Sequence, residues 1–532
     1  MKHFKISLLA AAAVVSVAAM PSLAATPKNM LVVAQTIDDI ISFDPAQSFE
    51  FTSNEIDNNI YSFLVAFDPM NLDAGYQPDL ASSWDISEDG KTITFHIVEG
   101  RKFASGNPIT AKDAAYSLQR AIKLNKTPSF ILSQFGFTAD NVDEKVVATD
   151  DYTLQITTDK KYAVSFVLNC LTANIASIVD SKLVMEHEAD GDMGNDWLRS
   201  NTAGSGAYIL KSFKPNESVV LTANDNYYGD KPKLKQVFIR HVAESASQRL
   251  LLEKGDVDIA RNLSTEDVAA ISGTEGLKVQ DELRGRLMYW SANQKSEYLS
   301  NPKVLEAMKW LTDYEGMANS FLKGQYTVHQ TFLPMTYFGA IDDKPYHLDI
   351  EKGKALLAEA GYPDGFEINA IVREAQERID IAQSLQDTWG KAGIKLTLTI
   401  GTGAQTLDKY RARVHDIYVG AWGPDYSDPN TNAGTFALNP GNADDSGNTG
   451  YLAWRNAWDI PAYSQRTLDA VVENDVDKRK QMYVDLQKDF QKDSPFGIMF
   501  QQIEQAGMQA NVKNLSLGGA VSSIAFWPVT KD

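Results

Sequence analysis

Between Asp349 and Ala421 the chain switches period repeatedly, and this restricts the fold more than any other feature. Asp349 can cap a helix through Ala360 that Gly361 stops. Phe366 to Val372 reads as a strand. Glu377 to Ala392 reads as a helix, with Ile381, Ala382, Leu385 and Trp389 on its apolar side and Gly393 ending it. Ile394, Leu396, Leu398 and Ile400 alternate as a second strand, Gln405 to Arg413 is predicted helical, and Asp416 to Ala421 is a third strand. Strand–helix–strand–helix–strand is an α/β unit, and in such sheets ligands sit outside the carboxyl ends of the strands.

The third strand runs into GAWGPDYSDPN, Gly420 to Asn430. Its glycines and prolines rule out a helix and require an irregular loop. The loop carries Trp422, Asp425, Tyr426 and Asp428. Aromatic rings beside a carboxylate make a pocket for a cationic group. The simpler alternative is a packed turn whose Asp side chains hold backbone amides. Its position at a strand end favours the pocket.

With 532 residues, the chain has length for roughly three or four domains. A net charge of -19 leaves no basic stripe for nucleic acid or an anionic membrane. Residues 1–24 read as a signal peptide: Lys2, His3 and Lys5 precede an apolar run from Ser7 to Met20, and Ser22-Leu23-Ala24 suits cleavage after Ala24. The mature protein is therefore expected to be exported and soluble. Cys170 is the single cysteine and lies in an apolar run, so it reads as a buried small hydrophobe. The seven histidines lack metal-ligand spacing, and Gly204-Ser205-Gly206 lacks nucleophile-elbow spacing. No cofactor, metal or catalytic residue is expected.

Nearer the N-terminus, Asn29–Ala34 reads as a strand, Asp44-Pro45-Ala46 as a turn and Asn54–Leu64 as a helix with Ile56, Ile60, Phe63 and Leu64 on one face. Asp89-Gly90 marks a hairpin turn before the alternating strand Ile93–Ile97, and Thr110 with Asp113 caps a helix from Ala111. The order Pro78, Leu80, Ala81, Trp84, Asp89, Gly90, Phe95, Phe103, Gly106, Pro108, Thr110, Ala111, Asp113, Tyr116, Ser117, Leu118 and Arg120 resembles the signature of solute-binding family 5. These are the extracytoplasmic dipeptide, oligopeptide and nickel binding proteins of ATP-binding-cassette (ABC) importers. GSGAYIL at Gly204–Leu210 also resembles a family segment, with Ala207 where Pro is usual. So do Asn224–Arg240, Leu250–Ala260, and the C-terminal helix Asp477–Lys492.

The resemblance implies an α/β, two-lobed periplasmic-binding-protein fold with a hinge and a third accessory domain. Lobe I would comprise 25–68, 189–283 and 503–532, the accessory domain 69–188 and lobe II 284–502. The crossings would lie near Leu287–Asn293 and Ile498–Gln502. It also implies that Asp425 holds a peptide's α-ammonium, with Trp422 and Tyr426 as walls and Asp428 as a turn cap. Phe49 and Glu50 match a ligand-facing segment of relatives. Dipeptide binders place an Arg near the start of the helix at Glu377. Here the matching count falls at Ile379 or Asp380, and Arg378 stands beside it, either as a carboxylate clamp or as a solvated charge. The implied function is periplasmic capture of a peptide or peptide-like ligand by a monomer, for delivery to a membrane-embedded ABC permease. The same fold could bind another solute: an oligosaccharide, a nickel chelate, haem or an opine-like conjugate. A secreted hydrolase is a more distant alternative.

Overall fold

The computed structural model describes residues 26–71, 74–519 and 524–532. The expected signal peptide and its cleavage after Ala24 lie outside the described residues.

An eleven-stranded sheet runs through the molecule. From one edge its strands are Lys395–Gly401, Glu367–Arg373, Ile417–Trp422, Leu277–Ala292 and Phe496–Gln509; the last two are long enough to serve both halves. The order continues through Ile259–Ala260, Met30–Gln35, Gln236–His241, Ser218–Ala223 and Tyr208–Lys214, with Tyr326–Val328 added on Phe496–Gln509. Both faces are covered, and strand alternation divides the side chains between them. Leu31 and Val33 enter one apolar cluster while Val32 and Ala34 enter another. In the other half, Met288 and Trp290 face Trp389 and Ile381, while Leu287 and Tyr289 face Phe436 and Phe490.

The α/β unit expected from Asp349 onward is present: helix Ile350–Glu359, strand Glu367–Arg373, helix Gln376–Gly390, strand Lys395–Gly401, helix Gly403–Arg411 and strand Ile417–Trp422. Its three strands run parallel to one another. Asp349 accepts from Lys352 N as the helix cap.

A separate four-stranded antiparallel sheet, Ala81–Ile86, Thr92–Ile97, Thr153–Thr157 and Val146–Ala148, carries helix Ala111–Leu124. The Asp113 carboxylate accepts from both N and Oγ1 of Thr110, closing the expected cap. Cys170 is buried in this unit's core.

The helix expected over Asn54–Leu64 is a correction. It spans Phe51–Asp57 and stops because the following backbone pairs elsewhere. Gly206 N donates to Ile60 O at 2.7 Å and Tyr208 N to Asn59 O at 2.9 Å. This gives the GSGAYIL segment a structural role. A Cβ on Gly206 would lie 2.6 Å from the Ile60 carbonyl carbon, which is backbone and cannot swing away. Gly206→Ala should therefore cost at least about 2 kcal/mol in a denaturation experiment.

Pairing of the two long strands is irregular between Leu283↔Ile503 and Leu287↔Gln501. There Arg284, Gly285 and Arg286 stand opposite Gln502 alone. A second irregularity falls between Met288 and Tyr289, so both lie in or beside the segments Leu287–Asn293 and Ile498–Gln502 expected as the crossings. A bulge of this kind re-aims side chains, and here it brings both arginines to a cavity wall.

Candidate functional site: the cleft at the strand ends

Strand Ile417–Trp422 delivers the loop Gly423–Pro429 at its carboxyl end. The loop is tied down at several points. Asp425 N donates to Thr431 Oγ1 at 2.9 Å, and Tyr337 Oη donates to Tyr426 O at 3.0 Å. Asp428 is fully buried and accepts from Asn430 N, which fits the expected turn cap. It is also paired bidentately with Arg479 at 2.7 and 3.0 Å and accepts from Asn169 Nδ2 at 3.1 Å. The Asp425 carboxylate itself has no hydrogen-bond or ion-pair partner among the described residues. Surrounding protein excludes water and pushes its pKa up to about 7.

Trp422 is half-buried against the cluster that holds Leu287 and Phe332, and its indole N–H lacks a partner among the described residues. Tyr426 departs from the expectation of a pocket wall. Its ring lies in the accessory core, 6.0 Å from Phe166, and is almost wholly buried.

Phe49 also packs on the accessory core, edge-on to Phe130 at 6.0 Å. Glu50 precedes the helix and folds back, Oε2 accepting from Phe49 N. Neither lines the cavity beside Pro424. Phe51, Thr52 and Glu55 do, because the helix begins at Phe51 and presents these residues toward the cleft. A Cβ on Gly423 would approach Phe51 Cζ to 3.2 Å, so the glycine lets the two halves meet here.

Arg378 stands in the first turn of helix Gln376–Gly390, after the strand parallel to the loop's own. It is buried, and its Nε has no partner among the described residues. Burial, then Arg286 and Arg373, holds its pKa below the usual guanidinium value. Arg286 lines the cavity and reaches Glu377 at 3.6 Å. A solvated charge is therefore not what Arg378 is.

The cavity of about 170 Å³ lies under Gly423 and Pro424. Its floor is a charge network that periodicity did not reveal. Arg261 meets Glu504 at 2.8 Å and Glu55 at 3.3 Å, and Arg284 meets Glu55 at 2.9 Å. Burial alone would raise the Glu504 pKa, but Arg261 and Arg284 hold it low. The available signal was Arg284-Gly285-Arg286, two arginines interrupting an otherwise strand-like run. Among the described residues no group of three or more His, Cys, Asp or Glu is placed to hold a metal.

Residues 75–444 match the family model described as bacterial extracellular solute-binding proteins, family 5 middle. The chain belongs to solute-binding family 5. This family 5 protein is 29% identical over 493 residues to the probable D,D-dipeptide-binding periplasmic protein DdpA of Escherichia coli K12, covering 92% of each chain. It is 28% identical over 418 residues to heme-binding protein A of Haemophilus influenzae, covering 73% of each. Its fold matches the periplasmic binding protein DppA from Helicobacter pylori, solved in complex with peptide STSA. That match has a TM-score of 0.77 and 23% identity, over 94% of this chain and 98% of that one. The two-lobed periplasmic-binding-protein architecture of the family 5 protein is thus established.

Proposed function

We propose that this protein captures a small peptide between its lobes in the periplasm and hands it, unaltered, to an ABC importer. Its ammonium meets Asp425 and its carboxylate meets Arg378. The observation that carries this reading is a buried guanidinium, Arg378, and a partly buried carboxylate, Asp425, following neighbouring strands, neither with a hydrogen-bond or ion-pair partner among the described residues. An unpaired charge is expensive to bury, and a ligand that pairs it recovers that cost. The dipeptide-binding designation of DdpA and the peptide STSA bound to DppA agree with it. In this reading the protein acts as a monomer after leader removal, and its lobes (284–502 against 25–68 with 189–283 and 503–532) swing about Arg284–Arg286 and Gln502. The accessory unit, 69–188, moves with the first lobe.

Native mass spectrometry of undialysed protein, followed by denaturation, tests the reading. Short peptides should come off intact; a single non-peptide compound would overturn it. Arg378→Met should weaken a free dipeptide by about 2–5 kcal/mol by calorimetry, while changing its C-terminal amide little. Equal losses for both would remove Arg378 from the clamp.

A further inference from the structure

The floor of the 170 Å³ cavity is electrically matched. Glu55 and Glu504 face Arg261 and Arg284, and Arg286 has Glu377 at 3.6 Å. Three acids thus stand against three bases, and the unpartnered charges of the cleft, Asp425 and Arg378, are elsewhere. A charged ligand group entering here would upset a balanced network in a desolvated place, at the cost of whatever charge it left uncompensated.

The same cavity contains a neutral group with unused hydrogen-bonding capacity. Gln35 ends strand Met30–Gln35, lines the cavity and is only 4% exposed. Its Oε1 is buried without a partner among the described residues. Its main chain is fixed in the sheet, where Val242 N donates to its carbonyl and its Cα pairs with His241. A buried amide oxygen without a partner is a standing penalty that a suitable donor removes. Thr36, Thr52 and Asn262 complete a neutral polar rim. The walls Gly423 and Pro424 belong to the loop that carries Asp425, so a ligand anchored there lies against the cavity mouth.

We infer that this cavity is a specificity pocket for a neutral polar side chain of the bound peptide, a carboxamide or hydroxyl, with Gln35 as its hydrogen-bond partner. The inference rests on the peptide reading above and adds to it the class of residue selected. A side-chain amide offers a carbonyl acceptor and an NH₂ donor, so a ligand carboxamide can pair with it in either orientation. An apolar side chain of the same size would fill the space, displace water and leave Gln35 unpaired. Discrimination against it is therefore larger than shape alone would give.

Titration calorimetry decides the matter with wild type and Gln35→Met, using Ala-Gln against Ala-Met, Gln-Ala against Met-Ala, and Ala-Ala as reference. In one of the two orders, wild type should bind the amide at least about tenfold more tightly than the thioether. Gln35→Met should lose that preference and melt no lower, since the replaced oxygen makes no hydrogen bond among the described residues. Equal wild-type affinities in both orders, or a preference that survives in Gln35→Met, would overturn the assignment of the pocket. Absence of binding by every dipeptide, Ala-Ala included, is a different result and would overturn the peptide reading itself.

Discussion

Asp425→Asn should weaken binding of a peptide with a free amino terminus by about 2–5 kcal/mol and leave its N-acetylated form almost unchanged. The substitution is nearly isosteric, and the carboxylate makes no hydrogen bond or ion pair among the described residues that the change would break. The loss is therefore one of charge. The pH dependence gives a second test. With the carboxyl pushed up to about 7, the empty site is mostly protonated at pH 6. An ammonium binds the ionised form, so affinity should climb by about tenfold per pH unit up to pH 7. It should then level off and fall as the ligand's amine, with a pKa near 8, loses its proton. Binding at pH 6 should release a proton, measurable as a dependence of binding heat on buffer ionisation enthalpy. The sign for folding is opposite. The unfolded carboxyl ionises near pH 4 and the folded one near 7. The protonated folded form is thus favoured, and this group's contribution to stability declines between those values as pH rises. Asp425→Asn should remove that decline, and a variant that keeps both pH profiles would exclude Asp425 as the anchor.

Arg479→Met should cost about 3–5 kcal/mol of stability. Arg479 and Asp428 have side chains 3% and 0% exposed, joined by two hydrogen bonds, with Tyr483 Oη and Ser165 Oγ also receiving from the guanidinium. Removing the cation leaves a buried carboxylate with only Asn169 and a backbone amide. Adding Asp428→Asn should recover part of the loss, because the stranded charge goes with it. Calorimetric melting of the single and double variants measures the difference. A double variant no more stable than Arg479→Met would show that the damage comes from lost packing around Tyr483.

Much of the secondary structure was legible because its signals are local. The caps at Asp349 and Thr110, the turn at Gly90 and the alternation from Ile394 to Ile400 are each written within a few residues. The loop's position followed from the strand before it. What could not be read depends on partners far away in the chain. Tyr426 and Asp425 are adjacent, yet Tyr426 lies in a core built largely from residues 46–178 while the Asp425 carboxylate has no hydrogen-bond or ion-pair partner among the described residues. Choosing between Phe49 and Phe51 required knowing where the helix starts, and it starts at Phe51, three residues before the expected Asn54. The Glu55–Arg261–Arg284–Glu504 network joins residues more than 200 positions apart. Charge composition alone cannot show that Arg378 is buried and unmatched while Arg284 is satisfied.

If the proposed opening separates the loop from the accessory unit, Tyr426 limits how quickly a ligand can leave. An opening that draws the loop away from the accessory unit must return this ring to water from the company of Phe166. Re-exposing an aromatic side chain costs about 1.5–3 kcal/mol. A toll of that size lengthens residence time by roughly tenfold to a hundredfold if it is charged on the way out. The cleft can therefore hold a weakly contacted solute for longer than its own contacts would allow, and a partner that prises the accessory unit from the loop could shorten the wait without touching the solute.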